Sequence, residues 1–127
     1  GVLTIVMKLL QIARAHSAYF GEKDYQQSIL VREMTESFFL PTKIIPCPIV
    51  RESDGLAMSS RNRRLTCEER EMAPQFFQIL KRKNSIPQIK EELTRAGFRV
   101  DYVEEKWGRR LAAVFLGETK LIDNVLL

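Results

Sequence analysis

Two short apolar runs, at 17–20 and 43–50, stand on either side of a helical pattern, and this spacing constrains the fold more than any other feature of the chain. A parallel neighbour is reached only through a long crossover, so strands joined by one helix pair in parallel. Ser17-Ala-Tyr-Phe is predicted to be a short buried strand ending at Gly21, after which Glu22-Lys-Asp-Tyr-Gln-Gln opens a helix with charges at its start. That junction is where α/β folds hold nucleotides. Gly21 reads as backbone that reaches angles closed to other residues and lets a ligand approach. Asp24 reads as a helix N-cap, with Gln27 at the third helical position as a variant capping box. The helix continues through Ile29, Leu30, Met34 (core filling) and Phe38 until Leu40-Pro41 stops it. Upstream, Val6, Leu9, Leu10 and Ala13 within 3–15 have the period of a helix packed on a sheet. In the second run Pro46 and Pro48 each remove a ladder donor, so that strand lies near an edge or ends early.

The second strand leads into Asp54-Gly-Leu-Ala-Met-Ser-Ser-Arg-Asn62. Asp54-Gly55 is a turn signal. Ser59, Ser60 and Arg61 then bring two hydroxyls, successive backbone N–H groups and a guanidinium together, a combination suited to polyphosphate. The triplet taken alone also fits an ordinary loop capping the helix that follows, since Ser and Asn are common caps.

With Phe20-Gly-Glu-Lys-Asp-Tyr-Gln-Gln27 and Asp54-Gly-Leu-Ala-Met-Ser-Ser-Arg-Asn62 in this order, the chain resembles the pantothenate synthetase family, also called the pantoate–β-alanine ligases. The likeness resumes at Leu116-Gly-Glu-Thr-Lys-Leu-Ile-Asp-Asn124. The family's first half carries an HxGH motif that nothing here matches, so the resemblance implies a C-terminal portion, inactive by itself. It implies an ATP site at Gly21, Glu22, Lys23, Asp24, Val50, Met58, Ser59, Ser60 and Arg61. Lys23 would lie on the phosphates, Asp24 near the ribose or the metal, and the Val50 backbone at the adenine. Lys23, Ser59, Ser60 and Arg61 would be catalytic, and Gln27 would bind pantoate. ATP, pantoate, β-alanine and Mg²⁺ carried by ATP are the implied small molecules, with no confident protein metal site beyond the possibility of Asp24. A homodimer is implied for the complete enzyme. The Ser59-Ser60-Arg61 loop is similar to a reduced KMSKS loop of class I aminoacyl-tRNA synthetases, whose second cation it lacks although Arg63 and Arg64 follow. Arg64 departs from the family's usual SRNRYL and reads as a surface charge. The implied fold is the second half of a Rossmann-like nucleotidyltransferase domain with parallel strands (1–62), followed by a small α+β lid domain with an antiparallel sheet (63–127).

The pattern beyond Asn62 is consistent with that division. Thr66-Cys-Glu-Glu69 is a capping box, Pro74 ends or kinks the helix it opens, and Phe76, Phe77 and Leu80 continue it. Lys81-Arg-Lys83 suits a helix C-terminus. Ser85-Ile-Pro-Gln88 starts another helix that Gly97 closes. Phe98, Val100 and Tyr102 alternate with charged residues as a half-buried strand. Lys106-Trp-Gly108 and Gly117 then turn the chain through two further strands, with Asp123 and Asn124 expected to end the last by bonding the backbone.

Composition narrows the classes. Of 127 residues 45% are hydrophobic and 28% charged, as in a globular protein. The net charge of +4 is spread with acidic residues interleaved, which disfavours nucleic acid and suits a phosphate-bearing small molecule. No apolar run approaches the roughly 20 residues of a membrane span, and no signal peptide is visible, so a cytoplasmic location is expected. Cys47 and Cys67 lack CxxC spacing and read as reduced thiols. His16, the one histidine, has no evident catalytic partner. The alternatives are another nucleotidyltransferase of this type, such as a class I synthetase fragment, and a non-enzymatic binding module.

Overall fold

The two short strands do pair in parallel. In the computed structural model, which describes residues 1–127, β1 (Ser17–Gly21) runs beside β2 (Lys43–Cys47) with Ser17 opposite Lys43 and Gly21 opposite Cys47. Helix α2 (Tyr25–Ser37) supplies the crossover, and α1 (Val2–Ala13) precedes the pair. Their starts are tied by Lys43 N–H donating to the His16 carbonyl at 2.9 Å and by Thr42 Oγ1 donating to that of Ala15 at 2.9 Å. Leu10, Val31, Met34 and Ile44 form the buried centre, with Leu3, Val6, Met7, Ala18, Phe20 and Leu40 packed around it. Each such side chain, once fully buried, contributes about 1.5–3 kcal/mol.

Several expectations change here. β1 is half-buried rather than buried, and Tyr19 stands in solvent, because a two-stranded sheet covers little of its own surface. As expected from its prolines, β2 ends early, at Cys47 ahead of Pro48, so residues 48–50 are not strand. Phe38 lies past the helix end and is exposed, and Phe39 takes a positive φ of 53°. On α1, Val2, Ile5, Leu9 and Ile12 form an exposed apolar stripe away from the core.

Residues 1–49 and 50–127 form two compact units. The division falls after Ile49, not at Asn62/Arg63, because Leu56 and Ala57 are buried and Leu56 belongs to the core of the second unit. That unit holds α3 (Cys67–Met72), α4 (Pro74–Leu80) and α5 (Ile86–Arg95). Its antiparallel sheet contains β3 (Arg99–Lys106), β4 (Arg109–Leu116) and β5 (Thr119–Leu126), with β4 in the middle.

Local chemistry sets most of these boundaries. Thr66 Oγ1 accepts the Glu69 N–H at 3.2 Å while Glu69 Oε2 accepts that of Thr66 at 3.0 Å, the reciprocal capping box. At α5 Gln88 Oε1 accepts both the N–H and the hydroxyl of Ser85, each at 3.0 Å. Trp107 and Gly108 have φ of 55° and 68°, the positive pair that a two-residue hairpin joining β3 to β4 requires. Arg110, buried, donates to the carbonyls of Leu80, Arg82 and Asn84 and to Glu105, so one guanidinium satisfies the orphan carbonyls beyond α4.

Strand β3 departs from simple alternation. A bulge between Val100 and Tyr102 inserts Asp101, so Val100 pairs with Val114 but Val103, not Tyr102, takes the next core-facing place opposite Ala112. Tyr102 is left partly exposed. The core of the unit comprises Leu56, Phe76, Leu80, Ile89, Leu93, Phe98, Val103, Val114 and Leu121 among others. No helix is long and apolar enough to cross a membrane.

Candidate functional site

The first group of candidate residues lies in unit one, at the C-terminal end of β1. Gly21 is extended, with φ −70° and ψ 135°, and a Cβ there would meet nothing within 4 Å. The expectation of an unusual glycine conformation therefore fails, since any residue adopts these angles. What the glycine leaves is open backbone where the parallel strands end. Glu22, Lys23 and Asp24 form a single 3-10 turn before α2 begins at Tyr25. Asp24 occupies the N-cap position, yet its carboxylate makes no capping bond, so the predicted box with Gln27 is not formed. The intervening 3-10 turn puts Asp24 at φ −92° and ψ 63°, outside the extended backbone that an N-cap normally takes. Its carboxylate is thereby left for other work. Gln27 is half-buried one turn into α2, and Lys23 is half-buried beside it in sequence.

The second group lies wholly in unit two, on a loop rooted by several contacts. Met58 N–H donates to the Val50 carbonyl at 2.9 Å, Glu52 N–H to that of Leu56 at 2.8 Å, and Arg51 bridges Ala57, so residues 50–58 form a tight hairpin. The Val50 backbone, expected at the adenine, thus has its carbonyl already engaged. Gly55 has φ 94°, and a Cβ on it would lie 2.7 Å from the Phe77 ring. Here glycine is required twice over, by conformation and by space. Asp54 Oδ1 accepts the Leu56 N–H at 3.1 Å, and Oδ2 pairs with Arg70 Nη1 at 2.6 Å. The hydrogen bond from Arg70 holds the Asp54 carboxyl below its ordinary value of 3.8; slight burial opposes this and the Leu56 N–H assists.

Arg51 fastens the hairpin. Its guanidinium lies over the Phe77 ring at 3.8 Å, donates to the Gly55 carbonyl at 3.1 Å and grips the Asp123 carboxylate with both terminal nitrogens. Asp123 and Asn124 do not end the last strand, contrary to expectation; both lie inside β5, and Asp123 anchors the loop instead. Asn124, also buried, accepts from Arg109 Nη1 at 2.8 Å.

Beyond this root, Ser59 Oγ accepts the Arg61 N–H at 3.2 Å and caps a 3-10 turn, Ser60–Arg64. The capping reading of the triplet is therefore correct as local structure. It does not exclude a ligand, because the turn forms one wall of a cleft of about 660 Å³ lined by Glu52, Met58, Ser59, Ser60, Asn62, Arg63 and Arg70. Arg61, exposed, lies outside that lining. Asn62 Nδ2 donates to the Ala57 carbonyl at 3.0 Å, which fixes the amide's orientation, and its Oδ1 is buried and accepts from no group of the protein. Met58, Ser59 and Ser60 are thus brought together, whereas nothing in the sequence singles out Arg63, Arg70 and Glu52 as cleft residues. The three-residue spacing of Ser60 and Arg63 is the one available signal, and it needs the 3-10 turn to be read.

The sequence profile of the pantoate-beta-alanine ligase family matches residues 1–126. The chain belongs to that family. A pantothenate synthetase of Legionella pneumophila (strain Corby) is 51% identical over all 127 residues, and one of Bdellovibrio bacteriovorus is 51% identical over 125. The chain spans about half the length of these curated ligases, 50% of each. Among solved structures, a pantoate-beta-alanine ligase from Francisella tularensis, complexed with beta-gamma ATP and beta-alanine, is 38% identical with a TM-score of 0.91, covering 99% of this chain and 49% of that one. A pantothenate synthetase from Thermus thermophilus is 33% identical with a TM-score of 0.84, covering 98% and 54%. These likenesses take in both units of this chain.

Proposed function

We propose that the chain supplies the C-terminal part of an ATP-dependent ligase that condenses pantoate with β-alanine. The observation that carries this reading is the cleft in which Ser59 and Ser60 of a family-matching chain line a recess beside arginine side chains. In the first step the pantoate carboxylate attacks the α-phosphorus of ATP. A P–O bond forms as the bond to pyrophosphate breaks, giving pantoyl adenylate. In the second step the neutral amine of β-alanine attacks the acyl carbon, AMP leaves with the bonding pair, and the nitrogen loses a proton to give the amide. No covalent enzyme intermediate is needed.

The protein's part is positioning and charge stabilisation. Ser59 and Ser60 hydroxyls and the cations Lys23 and Arg61 hold the phosphates as negative charge gathers on pyrophosphate. Gly21, Glu22, Asp24, Val50 and Met58 complete the nucleotide contacts, and Gln27 orients the pantoate carboxylate through an amide that both donates and accepts. Mg²⁺ would enter as a companion of the ATP phosphates, with Asp24, whose carboxylate makes no capping bond, the residue that could help hold it. The family resemblance further supports a homodimeric, cytoplasmic enzyme.

Assay of pantoate-dependent ATP–pyrophosphate exchange tests the reading. The chain in a full-length enzyme, its own or a chimera with the first half of the Legionella relative, catalyses exchange that depends on Ser60 and Lys23. Exchange without pantoate, or none in a folded enzyme, contradicts it.

A further inference from the structure

Of the arginines at the root and turn of the Ser59–Ser60 loop, two are neutralised. Arg51 is paired with Asp123 and Arg70 with Asp54. Arg63 has no carboxylate partner, is exposed, and lines the cleft with Ser59 and Ser60. Its direction follows from the backbone. A 3-10 turn has about 3.0 residues per turn, so side chains three apart eclipse. In the turn Ser60–Arg64 this stacks Arg63 beneath Ser60 and sets Arg61 with Arg64 on another face. The lining of the cleft agrees, since it includes Ser60 and Arg63 and neither Arg61 nor Arg64.

We propose that Arg63 is a phosphate-binding cation of this cleft, gripping the polyphosphate end of the nucleotide and the departing pyrophosphate beside Ser60. Electrostatics makes the same demand. Glu52 lines the cleft as an unpaired carboxylate, and the Arg70 charge is balanced by Asp54. Without Arg63 the unbalanced charge facing the recess is Glu52's alone, which repels polyphosphate; with it, a bidentate guanidinium stands beside two hydroxyl donors. The identity of the nucleotide rests on the ligase reading, but the anion site does not.

The test uses a full-length enzyme carrying this chain, with Arg63→Gln, Arg63→Lys and Arg64→Gln compared for equilibrium binding of inorganic pyrophosphate and for pantoate-dependent exchange. Arg63→Gln weakens pyrophosphate binding and raises KM for ATP by about 10- to 100-fold, as loss of a charge-assisted contact does, with KM for pantoate unchanged. Arg63→Lys, which keeps the charge but not the two-pronged grip, recovers only part of the affinity, and Arg64→Gln, the same charge change at a residue outside the cleft lining, behaves as the parent. Arg63 is exposed, so its replacement leaves folding intact, which a thermal melt verifies. Equal pyrophosphate affinity in Arg63→Gln and Arg64→Gln overturns the assignment even if exchange is normal and the ligase reading stands. Arg63-dependent pyrophosphate binding without pantoate-dependent exchange upholds the assignment and contradicts the ligase reading instead.

Discussion

Arg51 holds Asp123 in a two-pronged ion pair, Nη1 to Oδ2 at 2.7 Å and Nη2 to Oδ1 at 2.9 Å, with the Asp123 side chain only 2% exposed. The pair joins the root of the hairpin that presents Ser59 and Ser60 to strand β5, and the same guanidinium rests on Phe77 and bonds the Gly55 carbonyl. The loop therefore leaves a fixed base, from which the largely exposed turn Ser60–Arg64 extends.

Removing one partner strands a charge. Arg51→Ala takes the two-pronged partner from the buried Asp123 carboxylate, which keeps the Asn124 N–H, and is expected to cost up to about 3–5 kcal/mol. Asp123→Ala costs less, because the Arg51 side chain is 20% exposed and regains water. Urea unfolding of the two variants and their double mutant gives the coupling energy; near-additive losses contradict the anchoring role.

Gly55→Ala tests the hairpin itself. The substitution forces alanine to φ 94° and drives its Cβ to 2.7 Å from the Phe77 ring. A loss of about 1–3 kcal/mol is expected, and Phe77→Leu, by making room, recovers part of it. Unaltered stability on urea unfolding would show that the turn rearranges freely.

The Asp54–Arg70 pair adds a small pH dependence. The folded-state pKa of Asp54 is lowered, so its contribution is fully present above the ordinary value of 3.8 and is lost as pH falls below that through the folded value. Both side chains are more than a third exposed, so the effect is modest and falls with salt. Asp54→Asn flattens the acid limb of stability against pH at low salt; identical acid limbs for parent and variant contradict the pairing.

How far this structure is legible from sequence depends on the range of the interactions. The Thr66–Glu69 capping box, the Trp107-Gly108 turn and the parallel pairing of β1 with β2 are local or topological, and residue type alone announces them. The Asp24 cap fails because a 3-10 turn intervenes, a choice that no motif encodes. The bulge at Asp101 moves the core register from Tyr102 to Val103, and an inserted residue leaves no mark on an alternating pattern. Arg51 and Asp123 lie 72 residues apart, so nothing local relates them. In the site, Ser59 and Ser60 are recognisable as donors, but the face on which Arg63 lies depends on the winding of the turn.

The roles proposed for Ser60, Arg61 and Gln27 separate chemistry from binding. In a full-length enzyme Ser60→Ala and Arg61→Ala slow adenylate formation by roughly 30- to 150-fold, the equivalent of about 2–3 kcal/mol. Gln27→Ala chiefly weakens pantoate binding. Single-turnover pyrophosphate release at saturating pantoate distinguishes them, and equal losses in both classes contradict the roles assigned.

The apolar stripe Val2, Ile5, Leu9 and Ile12 on α1 has no cover within the chain. An uncovered apolar face promotes association, so the 127-residue polypeptide by itself is expected to self-associate, and Ile5→Lys with Ile12→Lys to return it to monomer. Sedimentation of the parent as a monomer contradicts this.

The central claim is that this chain supplies one wall of a two-walled adenylating site. The direct measurement is β-alanine-dependent AMP formation from ATP and pantoate, made on the 127-residue polypeptide alone, on the same polypeptide mixed with the first half of a family ligase, and on a Lys23→Ala control of each. The account predicts no activity above control for the polypeptide alone and Lys23-dependent AMP formation once the first half is supplied. Lys23-dependent AMP formation by the polypeptide alone, or none in a folded full-length enzyme, contradicts it.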